Sequence, residues 1–121
     1  MKVRCIRLLD TSGKPQDKSA WLTIGKIYHV LSVELGSDQK WKLRLVGDGF
    51  NGVALFHLEE FEIVTSKIPN SWVMAWGKDG FFELTPETWR EPGFWERYYN
   101  REPNTVRIFE DERRRTIDAD A

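Results

Sequence analysis

Cys5, His29 and His57 are the side chains of this 121-residue chain with the most obvious chemical potential: one thiol and two imidazoles. A cysteine nucleophile needs a base beside it, and a general base must reach the proton it removes. Cys5 with His57 is the nucleophile–base pairing the sequence leaves open, while His29 falls inside a candidate strand. Lone histidines in a small β protein are more often satisfied surface or core residues than catalytic ones. The reading is therefore a protein without catalytic residues, hence not an enzyme. Metal chemistry is no better served, since one cysteine and two distant histidines contain no close-spaced ligand pair. The acidic run Glu110-Asp111-Glu112 lacks the glycine-bearing loop of a calcium site. Nor does the glycine-rich stretch 47–52, GDGFNG, have the lysine and following helix of a phosphate cradle. No metal and no cofactor are expected.

Binding chemistry is better represented. Eighteen basic against nineteen acidic residues leave a formal net charge of −1, which supplies no global attraction for phosphate backbones or anionic membranes. Local clusters remain. Glu59, Glu60 and Glu62, with Glu34 as a possible neighbour, would steer a basic partner. The stretch from Thr85 to Asn100 carries Trp89, Phe94, Trp95, Tyr98 and Tyr99. Most of these rings are expected to anchor short helices by burial, each contributing about 2 to 3 kcal/mol. Glu96, Arg97 and Tyr99 are left as the members that would face a partner, because Trp, Tyr and Arg dominate binding hot spots. A second candidate surface is Trp41 and Phe50 with Lys40, Lys42 and Arg44, which in combination would stack on single-stranded nucleic acid. Alternation along one strand explains half of these residues equally well. Arg113, Arg114 and Arg115 lie beside Glu110, Asp111 and Glu112 and read as a self-paired helix face.

The elements that must position these residues are mostly strands. Val3 to Leu9, Lys26 to Leu35, Trp41 to Val46, Val53 to Phe56 and Phe61 to Val64 are short β-rich runs separated by Gly, Asp and Asn. The second is long enough to turn a corner. In Trp41–Val46, Trp41, Leu43 and Leu45 share one face and Lys42 and Arg44 the other, as in a half-buried strand. Asp48-Gly49 and Asn51-Gly52 suit a tight hairpin, and His57 to Glu60 a helical turn. Ser71 to Trp76 and Phe81 to Leu84 flank an Asp79-Gly80 hairpin signal with aromatics on both arms. A lone hairpin is marginal in water, so it must pack on the first half or extend its sheet. Thr85-Pro86-Glu87 predicts a capped helix start, broken at Pro92-Gly93. A second short helix is expected to restart at Pro92 and carry Phe94, Trp95, Tyr98 and Tyr99, and a third to run from Pro103 to about Ile117 with Val106 and Phe109 inward. That third helix should hold Glu110–Arg114 and Asp111–Arg115 pairs, with the end beyond Ile117 fraying. Cys5 is expected in the core.

The residues Leu22, Thr23, Gly25, Lys26, Tyr28 and Val30, followed by an alternating strand, a glycine-rich turn and Phe61-Glu62-Ile63-Val64, resemble the small Src-homology-3-like barrels of bacterial and phage-encoded proteins. The resemblance covers about residues 1–65 and implies a fold. In the tail, Thr85, Pro86, Trp89, Pro92, Gly93, Phe94, Trp95, Glu96, Arg97 and Tyr98 resemble a segment of immunity proteins encoded beside bacterial polymorphic toxins. Such proteins occlude a toxin domain and do no chemistry.

The expectation is a mainly β, α+β fold: an SH3-like barrel over 1–66, with a hairpin and short helices over 67–117 packed on it as one domain. The function expected is a non-catalytic, immunity-type protein-binding module with a protein partner, which the tail's resemblance implies is a toxin domain. The alternative is a nucleic-acid-associated or phage-derived regulatory accessory domain that binds single strands on the barrel face. The amino terminus lacks the apolar run of a secretory signal, and no segment approaches the roughly 20 apolar residues of a membrane helix. A cytoplasmic monomer or weak dimer is the corresponding expectation.

Overall fold

The computed structural model describes residues 1–49 and 52–121; the parts of the hairpin and stacking expectations that rest on Phe50 and Asn51 lie outside them. The fold is mainly β, with two antiparallel sheets and helices gathered at the carboxy-terminal end. β1 (Lys2–Cys5) lies between β2 (Ile27–His29) and β6 (Phe61–Thr65) in a three-stranded sheet. The second sheet has five strands in the order β5 (Val53–His57), β4 (Trp41–Val46), β3 (Ser32–Leu35), β8 (Phe82–Pro86) and β7 (Trp72–Trp76).

The two sheets are joined by the corner expected within residues 26–35. β2 and β3 are separated only by Val30 and Leu31, both buried. Between the sheets lies a core of Val3, Cys5, Leu22, Tyr28, Val30, Leu43, Leu45, Phe61 and Trp72. β8 pairs with β3, so the hairpin extends the five-stranded sheet. Its turn places Asp79 at φ 58° and Gly80 at φ 79°, the left-handed geometry for which an Asp-Gly pair is suited.

The run from Leu22 to Tyr28 owes its composition to one carboxylate. Asp48 accepts hydrogen bonds from Thr23 Oγ1 (2.7 Å), Lys26 Nζ (2.6 Å) and the Tyr28 hydroxyl (3.0 Å), and that hydroxyl in turn accepts one from the Thr23 amide. Gly25, at φ 89°, lets the chain turn between them. The motif is thus a clamp that ties the 23–28 segment to the end of β4.

Other expectations are corrected. β1 ends at Cys5, and Leu9 forms only an isolated bridge to Pro15. Thr85 and Pro86 do not start a helix: they end β8, opposite Val73 and Trp72, and both are buried. The ladder to β3 has already ended at Leu84, so proline's missing amide costs nothing there. A 3₁₀ turn over Glu87–Arg90 follows, then α1 (Phe94–Tyr99) and α2 (Pro103–Asp118); α1 begins at Phe94 and not at Pro92, because Gly93 at φ 77° stands outside the helix. The buried stripe of α2 is Thr105, Phe109, Glu112 and Thr116, with Val106 only half-buried. Its ion pairs are Arg113–Glu110 (3.3 Å) and Arg115–Glu112 (2.8 Å), spaced three residues apart and not four. The end does not fray as expected. Asp120 accepts a hydrogen bond from Thr65 and pairs with the Met1 ammonium (3.0 Å), and its carbonyl lies 3.1 Å from His29 Nε2.

Candidate functional site

The aromatic tail is a second core. Trp89, Phe94 and Phe109 are buried with Leu31 and Val53, and Trp95 and Tyr98 pack against them. Trp89 stacks on Phe109 at 5.1 Å and 19°, and Tyr98 lies 4.5 Å from the same ring. Pro92-Gly93 splits the segment into turns too short to be stable alone, so the rings fix it to the outer face of the five-stranded sheet. Arg44, projecting from that face, lies 3.9 Å under the Trp95 ring and 3.7 Å from Glu34. Burial lowers the Arg44 pKa and raises that of Glu34, each partly offset by the other's charge.

An open cleft of about 530 Å³ borders this face, lined among others by Glu34, Arg44, Glu83, Arg90, Trp95 and Glu96. Its charges are largely spent on one another: Arg90 pairs with Glu83 at 3.3 Å, and Arg44 with Glu34. Arg97 bridges Glu91 and Glu102 at 3.6 and 3.3 Å. Tyr99 is 55% exposed, but its hydroxyl donates to the Val53 carbonyl at 3.0 Å. Glu96 is exposed at the cleft margin.

The acidic cluster does not stay together as a charged face. Glu60 is buried: its Oε1 accepts from the Leu9 amide (2.9 Å) and its Oε2 from the His57 amide (3.1 Å). Burial raises its pKa, and the two amides oppose that shift. It is a structural carboxylate that holds the 57–60 turn against the first loop, and so presents no charge to a partner. Glu62 is exposed and paired with Arg4 at 2.8 Å, and Glu59 is exposed on the turn.

The three chemically distinctive residues are engaged separately. Cys5 is fully buried and its thiol donates to the Arg7 carbonyl at 3.4 Å, with burial raising its pKa. His57 Nε2 lies 3.1 Å from the Asp10 carbonyl, and His29 Nε2 beside that of Asp120. Among the described residues no group of three or more His, Cys, Asp or Glu side chains is placed to hold a metal ion.

The surface that sequence reading missed is a row across four strands. Leu35 stands opposite both Trp41 and Phe82, and Phe82 opposite Trp76. Paired residues in antiparallel strands project from the same face, so Trp41, Leu35, Phe82 and Trp76 form one line. Phe82 contacts Trp76 at 4.8 Å and Trp41 at 6.1 Å. Further along the same face Leu43, Leu84 and Trp72 enter the core, but here the other sheet no longer covers it. Trp41 is 43% exposed, Met74 61% and Trp76 75%. Lys42 and Arg44, expected beside Trp41, project from the opposite face by strand alternation. Lys40 is exposed next to Trp41 in sequence, with Asp38 close by. The hairpin's aromatic arms were visible in the sequence; their alignment with Trp41 needed the β3–β8 pairing.

No family model, curated protein or solved structure matches this chain. Among the described residues, no helix is long and apolar enough to cross a membrane.

Proposed function

We propose that this chain is a non-catalytic protein-binding module whose contact surface is the uncovered end of the five-stranded sheet. The observation that carries the reading is the Trp41–Phe82–Trp76 row with Met74 beside it. Contiguous exposed apolar patches on small proteins mark interaction sites, and Trp and Met are enriched where interfaces exclude water. The finer form of the proposal is an immunity-type inhibitor that occludes a bacterial toxin domain. The tail's resemblance to that family supports it, and the exposed Glu59 would speed encounter with a basic partner.

The test is co-expression with the toxin domain encoded beside its gene. Wild-type protein should restore growth and co-elute with the toxin, and Trp41→Ala with Trp76→Ala should weaken the complex at least tenfold while circular dichroism stays native. Continued killing without a complex removes the inhibitor reading. A complex indifferent to both tryptophans removes the surface. The single-strand reading keeps Trp41 but has Lys42 and Arg44 on the far face; quenching of tryptophan fluorescence by oligonucleotides at low salt, reversed by added salt, would restore it.

A further inference from the structure

The edge of the five-stranded sheet, as distinct from its face, carries its own signal. β7 is the last strand, and its sequence Trp72-Val73-Met74-Ala75-Trp76 contains no charge, no proline and no glycine. Edge strands in monomers are normally protected by such residues, by brevity or by a covering element. The other edges here conform. β6 carries Glu62, β2 has three residues, and β5 borders the loop that includes Leu9, Asp10 and Trp21.

The main-chain groups of β7 point in a definite way. The Gly77 amide donates to the Phe81 carbonyl at 2.8 Å, so by antiparallel alternation residues 73, 75 and 77 turn their polar groups toward β8. Those of residues 72, 74 and 76 turn outward. The Trp72 amide donates to the Pro69 carbonyl at 3.1 Å, whereas the Met74 and Trp76 amides have no partner among the described residues. Ala75 is buried on one face, while Met74 and Trp76 stand exposed on the other.

The strand is also a palindrome by residue class. We propose that β7 pairs with β7 of a second copy, antiparallel about a two-fold axis through Met74. That register sets Met74 opposite Met74, Trp72 opposite Trp76 and Val73 opposite Ala75, apolar against apolar throughout. The outward Met74 and Trp76 amides then face the carbonyls of Met74 and Trp72 on the other copy. Two five-stranded sheets become one of ten strands. Because the contact uses the edge, the faces of Trp41 and Phe82 stay open, and the inference stands without the partner-binding reading. A contact made by one five-residue strand is small beside the interfaces of stable complexes, so the association expected is weak and reversible.

Sedimentation of the purified chain over a concentration series tests this. The average mass should rise from 14.2 kDa toward 28.4 kDa, twice the chain mass. Met74→Lys, which sets like charges face to face at a site already exposed, should raise the dissociation constant at least tenfold; Ile63→Lys, on the other sheet, should leave it unchanged. Oxidised Met74→Cys should form a covalent dimer, since the central pair brings the Cα atoms to about 5.5 Å, within disulfide reach. Ile63→Cys, similarly exposed, should cross-link far more slowly. A mass fixed at 14.2 kDa up to about 1 mM, the top of the weak-binding range, would overturn the proposal. So would Met74→Lys associating like wild type, or equal cross-linking of the two cysteine variants.

Discussion

Replacing Phe109 by alanine tests whether the aromatic tail is core or display. The side chain is 1% exposed and lies against Trp89, Trp95 and Tyr98. Removing a buried phenylalanine costs about 3 to 5 kcal/mol, and close aromatic pairs are worth about 0.5 to 1.5 kcal/mol each beyond their burial. Phe109 has two such neighbours within about 5 Å, one of them stacked, which places it near the upper end, at about 4 to 5 kcal/mol. At about 0.05 to 0.15 kcal/mol per residue, a chain of this length has only about 6 to 18 kcal/mol in total. Urea unfolding followed by far-ultraviolet circular dichroism and by tryptophan fluorescence reads the change. With a slope of about 2 kcal/mol per molar, the midpoint should fall by about 2 M. Trp76→Ala is the internal control: an indole 75% exposed should cost less than about 1 kcal/mol. A Phe109→Ala loss below about 1.5 kcal/mol, or one exceeded by Trp76→Ala, would refute the assignment of the tail rings to a second core.

Three further outcomes follow from named contacts. Glu60→Ala leaves the Leu9 and His57 amides without their acceptor and should cost about 2 to 3 kcal/mol by urea unfolding, whereas Glu59→Ala, on the exposed side of the same turn, should be near neutral. Arg44→Ala strips the cation from under Trp95 and leaves Glu34 half-buried near Glu83; a loss of about 2 kcal/mol is expected, recovered in part by adding Glu34→Gln, and a double-mutant cycle measures that coupling. For Asp48, burial raises the pKa, but the hydrogen bonds from Lys26, Thr23 and Tyr28 together outweigh it and hold the carboxyl below its ordinary 3.8. A depressed folded-state value means the stabilisation is present above pH 3.8 and is lost as pH falls through the folded value. Asp48→Asn should therefore be less stable at neutral pH and lose less on acidification; an unchanged acid limb would show the clamp to be unimportant.

Local pattern was enough for much of the fold. Alternation in Trp41–Val46, the corner between Lys26 and Leu35, the Asp79-Gly80 turn and the break at Pro92-Gly93 all express short-range constraints: side-chain period, backbone freedom and proline's fixed geometry. Where competing signals met, tertiary pairing won. Thr85-Pro86 has the chemistry of a helix start, but opposite Val73 and Trp72 those residues gain a ladder and burial that a cap cannot match. The same holds for the fraying expected beyond Ile117, which is prevented by partners more than fifty residues away.

The site divides along the same line. By itself, the sequence determined which residues had binding character: aromatic, acidic and uncharged stretches, with catalytic groups scarce and far apart. It could not assign them to inside or outside. Only the tertiary structure decided that Glu60 is a buried acceptor of two amides, that Trp89 and Phe109 form a core, and that the exposed Trp41 and Trp76 line up on either side of a half-buried Phe82. The reason is physical. Burial depends on which strand lies next to which, and the pairing of β3 with β8 joins residues nearly fifty positions apart, a separation no local periodicity can encode.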